Sequence, residues 1–141
     1  MANPELTQAA AGLLAREHTG VLSTISVKLN GMPFGSVVDF AIDAEGRPVL
    51  LISGLAQHTK NLLADPRASL TVRDHTASNA VEGARLTIAG TMRHIENEEG
   101  APIWSARFPD TGWAGFGDFS YWRLEPAQTY VVAGFGAMGW V

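Results

Sequence analysis

Two runs rich in aliphatic and β-branched residues, 21–27 and 32–42, are parted by Asn30-Gly31. That dipeptide accepts the positive φ values a hairpin turn requires, so the two runs are expected to pair antiparallel. Asp43-Ala44-Glu45-Gly46 turns the chain once more into Pro48–Ser53, where Val49-Leu50-Leu51-Ile52 reads as a strand buried on both faces. A chain that commits to hairpins this early builds its core from antiparallel sheet. Residues 68–73, 84–95, 119–125 and 129–135 read as further strands, the last two meeting around Pro126, for six or seven strands in all.

Helices are fewer. Leu6, Ala9, Ala10, Leu13 and Leu14 recur at helical spacing within residues 4–18, and Thr19-Gly20 stops the run. Gln57–Ala64 makes a short helix, ended by Asp65-Pro66 because the residue before proline avoids the α region. Residues 97–108 carry a third helical pattern, interrupted by Gly100 and Pro102. The fold class is therefore α+β, with an antiparallel barrel or sandwich at its centre and short helices around it.

The chain of 141 residues makes one domain, residues 1–141, and buries enough surface to need no staple. It has no cysteine, which removes disulfides, thiolate metal sites and cysteine nucleophiles together. A net charge of −4 argues against a nucleic-acid partner, and no apolar run reaches the ~18–20 residues of a membrane span. The first eighteen residues lack the basic start and long apolar stretch of a secretion signal, and the expected location is cytoplasmic.

One succession says more. Gly31 through Phe40 is followed by Gly46-Arg47-Pro48 and a buried strand ending in Ser53. Then come His58-Thr59-Lys60-Asn61-Leu62 and Asp65-Pro66-Arg67-Ala68-Ser69-Leu70. Together these resemble the nucleotide-binding half of the pyridoxamine-phosphate-oxidase-like flavoproteins, and Gly134-Phe135-Gly136 resembles the haem-utilisation branch of that group. The resemblance implies a split β-barrel, FMN as cofactor, and a redox reaction on a small-molecule substrate. It also implies a homodimer with its ligand sites where the protomers meet. Haem is the alternative ligand, and a dimer that has lost its ligand is a third reading.

On this resemblance the cofactor residues are Ser36, Val37, Ile52, Ser53, His58, Thr59, Lys60 and Asn61. The residues themselves permit such a site. Ser53 ends a strand at the sheet rim, and the four residues from His58 open a helix whose unpaired N–H groups favour an anion, with Lys60 adding a full charge. The same residues also suit an ordinary solvated helix start. Gly35 leaves room for a flat ligand, or marks a bulge. Val37, Val38 and Phe40 stand where the vitamin B6 oxidases hold basic residues, which removes the usual phosphate clamp.

The four histidines His18, His58, His75 and His94 show no metal-ligand spacing, and no metal site is expected. The haem-utilisation branch offers an axial histidine from beyond the barrel, and no histidine follows His94. Haem is therefore expected to bind weakly or not at all, with His58 as the one imidazole near the ligand rim. Trp104, Phe108, Trp113, Phe116, Phe119, Tyr121 and Trp122 form an aromatic cluster suited to packing, a dimer seam or a flat ligand. Glu96, Glu98 and Glu99 read as a solvated acidic patch, and Arg85, Arg93 and Arg107 carry no assigned role. No serine lies in the setting of a hydrolase nucleophile.

Overall fold

The computed structural model describes residues 3–110, 117–134 and 136–141. Helix α1 (Pro4–Arg16) starts where Asn3 accepts a hydrogen bond from the Glu5 N–H at 2.9 Å, with Pro4 in the first turn. Strands β1 (Thr19–Ile25) and β2 (Pro33–Asp39) pair antiparallel, Val21 opposite Val37. Asn30 and Gly31 do take positive φ, 54° and 91°, inside a wider connection that the Gly31 N–H closes on the Ser26 carbonyl.

Strand β3 (Ala41–Ile42) follows after Phe40 alone, and pairs with β4 (Pro48–Ser53). The single strand expected over residues 32–42 is thus broken in two. Phe40 is fully buried, and its N–H leaves the ladder for the His18 carbonyl at 2.9 Å. Helix α2 (Gln57–Ala64), β5 (Arg67–Arg73), β6 (Arg85–Ile95) and α3 (Asn97–Arg107) come next, then β7 (Phe119–Gly134) and β8 (Ala137–Trp140).

The eight strands form one sheet in the order β2-β1-β5-β6-β7-β4-β3, with β8 added to β7. Strands β2 and β3 lie at opposite ends of that order, yet only Phe40 separates them in the chain. The sheet must therefore curl until its ends meet. Among the described residues no ladder joins β2 to β4, and that open seam makes the barrel a split one.

Strand β7 corrects the expectation of two strands around Pro126. It runs through the proline unbroken because the register shifts between Ala89 and Gly90, directly opposite. A Cβ on Gly90 would stand 2.0 Å from the Glu125 carbonyl oxygen, so only glycine allows this approach. The short β8 carries the total past the expected six or seven.

Two hydrophobic clusters share β4. Leu50 and Ile52 point into the barrel with Leu22, Leu70, Leu86 and Leu124, where α1 adds Leu6 and Leu13. Val49 and Leu51 point outward onto Trp104 of α3. Burial on both faces is what the unbroken aliphatic run required. Gly100 lets α3 settle on Tyr121, whose Cγ would lie 2.4 Å from any added Cβ. Arg107 then crosses to the end of α1, donating to the carbonyls of Leu14 (3.0 Å), Ala15 (2.9 Å) and Glu17 (2.9 Å). Among the described residues no helix is long and apolar enough to cross a membrane.

Candidate functional site

The open seam between β2 and β4 is capped by α2, and a cleft of about 220 Å³ lies there. Leu51, Ile52, Trp104 and Phe119 give it apolar walls, Val37 and Val38 its β2 side, and Asp39, Ser53 and His58 its polar groups. Four of the eight expected cofactor residues, Val37, Ile52, Ser53 and His58, meet in this cleft. The other four do not line it.

Their hydrogen bonds explain why. The Thr59 hydroxyl, 3% exposed, donates to the Ser53 carbonyl at 2.6 Å and ties the first turn of α2 to the end of β4. Asn61, fully buried, donates to the Thr24 hydroxyl at 3.0 Å. It also accepts from the Val27 N–H at 3.1 Å and from Gln57 Nε2 at 3.1 Å. Asn61 is a strut between α2 and β1. Lys60 is exposed, and Ser36 faces away from Val37 along β2. Within the cleft, the Ser53 hydroxyl donates to Asp118 Oδ2 at 2.8 Å and accepts from the Leu55 N–H at 3.0 Å.

Charge in the cleft has one sign. Among the described residues that line it there is no lysine or arginine, while Asp39 lines it and Asp118 stands behind Ser53. A dianionic phosphate would meet carboxylates here. His58 offers something else: its Nε2 is buried and has no hydrogen-bond partner among the described residues. Burial lowers its pKa from the ordinary imidazole value, which favours the neutral ring. A neutral imidazole nitrogen without a partner, among apolar walls, is a good ligand for iron and a poor one for phosphate.

Other sequence expectations resolve differently. Trp104, Tyr121 and Trp122 are buried packing residues, 2%, 6% and 6% exposed, whereas Trp113 and Phe116 lie outside the described residues, as does Phe135. Glu99 is no idle surface charge: it pairs with the nearly buried Arg123, which also donates to Glu125 at 3.0 Å. Trp104 and Phe119, from the aromatic cluster suited to a flat ligand, do line the cleft, whereas Asp39 and Asp118 carry no sequence signal for it. The Ser53–Asp118 bond spans 65 positions, and no local pattern announces it.

A family model described as the CREG beta-barrel matches residues 3–141. The chain belongs to that family. It is 42% identical over 118 residues to the Non-canonical heme oxygenase HOZ, chloroplastic, of Arabidopsis thaliana, covering 82% of this chain and 36% of the relative. It is 30% identical over 132 residues to Heme oxygenase HutZ of Vibrio cholerae, covering 86% of this chain and 73% of that one. Among solved structures, a heme binding protein from Mycobacterium smegmatis superposes with a TM-score of 0.86 at 29% identity. That likeness covers 100% of this chain and 59% of the other. The chain thus spans about a third of the plant relative and under two thirds of the mycobacterial one.

These findings correct the expected flavoprotein. The three relatives are named for heme, not for FMN, and FMN as cofactor, with the FMN-dependent oxidoreductase built on it, falls. The haem-utilisation branch fits them. The cleft supplies the physical reason: Thr59 and Asn61 are spent on structure, Lys60 is exposed, and the Ser53 hydroxyl is committed to a carboxylate.

Proposed function

We propose that this protein binds haem at the cleft between β2, β4 and α2, with the ring extending past Val37 onto the adjoining outer sheet face, and that it serves haem breakdown of the oxygenase kind. The observation that carries the reading is the buried, unpartnered Nε2 of His58 among apolar walls. His58 would face the iron, and Leu51, Ile52 and Phe119 would cover the ring and keep water from it. The short bond from Thr59 to Ser53 fixes the first turn of α2, and with it the position of the imidazole. When bound, haem brings the iron and its chemistry with dioxygen, which no side chain provides. Two relatives named as heme oxygenases support the reading.

Titrating the purified chain with hemin and, separately, with FMN tests it. The expected result is a saturable Soret band at one haem per chain and no flavin quenching. Saturable FMN binding without a Soret change would overturn it.

The active form is a homodimer in this reading. Val37 and Val21, opposite each other on the outer sheet face, are 80% and 40% exposed, and the next pair on that face is Gly35 and Ser23. This uncharged patch borders the haem cleft through Val37, so a second copy facing it would close the cleft over the bound ring. A stable seam buries upward of about 1,200 Å² in total. Sedimentation is expected to give twice the chain mass of 15.0 kDa at micromolar concentration, and a monomer there would contradict the seam.

A further inference from the structure

We propose that Arg73 and Arg85 form an anion-binding end for the acidic side groups of the porphyrin. The assignment rests on the haem reading above. A second cavity, about 240 Å³, lies on the outer sheet face, lined in part by Val21, Val37, Thr71 and Arg73. It shares Val37 with the His58 cleft, so the two hollows adjoin across one exposed side chain. Val37 and its ladder partner Val21 make an apolar floor between them. Strand β5, which carries Arg73, lies two strands from β2, about 10 Å away. That is the scale of a porphyrin's width.

The far side of this floor is positively charged in an unusual way. Arg73 stands directly opposite Arg85 in the β5–β6 register. Like charges facing each other across a ladder repel. Elsewhere among the described residues, Arg16, Arg47, Arg67, Arg93 and Arg123 each have a carboxylate within 4.0 Å, and Arg107 is spent on helix carbonyls. Arg73 and Arg85 have no carboxylate partner among the described residues. Arg73 donates only a long bond of 3.4 Å to the Asp74 carbonyl, and Arg85 donates to the carbonyls of Val81 and Gly83. Glu17, the one carboxylate lining the cavity, is 3% exposed and turned onto the His75 ring at 2.8 Å. Arg73 lines the cavity and Arg85 is its neighbour across the ladder, so two guanidinium groups without a carboxylate stand at one end of an apolar floor, where carboxylates on a flat apolar ligand would complete them.

The test compares hemin with its dimethyl ester, in the same cosolvent, on the full chain and on Arg73→Gln and Arg73→Gln/Arg85→Gln. Absorbance titration reads affinity, and circular dichroism confirms the fold. The unchanged chain should bind hemin about tenfold more tightly than the ester, since charge-assisted bonds are lost with the ester. The double variant should lose that preference by weakening hemin alone, and the single variant should lose part of it. Equal binding of the two compounds by the unchanged chain would overturn the assignment, as would a preference that survives both substitutions. In either case the haem reading stands. Failure of both compounds to bind would remove the haem reading and this assignment with it.

Discussion

Trp104→Ala is expected to destabilise the protein by about 3–5 kcal/mol, the range for emptying a buried aromatic site. Trp104 is 2% exposed and packs with Ala41, Val49, Leu51, Ile95 and Tyr121 on the outer face of β4 and β7. Its ring stacks on Phe108 at 4.4 Å between centroids. Its strand neighbours cannot move in to replace it. Ala41, Val49 and Leu51 are fixed in strand ladders, and Tyr121 is pinned under Gly100. For a domain of this size the loss corresponds to a fall in Tm of at least about 10 °C. Trp140→Ala is the control, since that ring is 63% exposed and should cost far less. Denaturant unfolding of both variants decides it; a Trp104→Ala loss below about 1 kcal/mol would mean that α3 is not held by this residue. Because Trp104 also walls the cleft, the variant should bind hemin less tightly at temperatures where it remains folded.

Much of this architecture can be read from residues close together in the chain. Asn30-Gly31 marks the first turn, and the aliphatic run of β4 announces burial on both faces, because each feature reflects a local or alternating constraint. The errors arise where distant strands impose the answer. Pro126 looks like a strand end until Gly90, from β6, is placed opposite it and the register slips to spare the missing N–H. Phe40 looks like part of one long strand until the curl of the sheet pulls its N–H to His18. Gly100 looks like a helix breaker until Tyr121 is found against its Cα.

The site was harder to read for the same reason. Residues 58–61 suit a phosphate on helix-start chemistry alone, yet burial decides what each can do. Thr59 and Asn61 face inward and bind backbone and strand, and Lys60 faces out. Only His58 turns into the cleft. The carboxylate of Asp118, which answers the Ser53 hydroxyl, comes from beyond α3. No spacing in the sequence encodes that encounter. Its position near the rim makes His58 the one imidazole the sequence offers there, on a rim that equally suits a phosphate. Its buried, unpartnered nitrogen supports the haem reading proposed above.

The largest expected effect on binding is that of His58→Ala. An iron–imidazole bond is lost with no other histidine at hand: His18 packs edge-on to Phe108, His94 to Trp122, and His75 is held by Glu17. The pH dependence follows from the same burial. Because the folded-state pKa of His58 is lowered, the neutral ring persists as pH falls through the ordinary imidazole value of about 6.5. Ligation should therefore hold between pH 8 and 6.5 and weaken only below. For the ligand-free protein the sign is the same. Burial disfavours the charged ring in the folded state, so the stability His58 permits is present above its unfolded-state pKa and is lost as pH falls through the lowered folded value.

Hemin titration of the native chain and of His58→Ala, followed by the Soret band at neutral pH, tests the haem site most directly. The native chain should show a sharp band at one haem per chain. His58→Ala should bind at least about 100-fold more weakly. Added free imidazole should restore the native band position to the variant. A stoichiometric Soret band of the same position and affinity in His58→Ala would contradict the placement of the iron at His58.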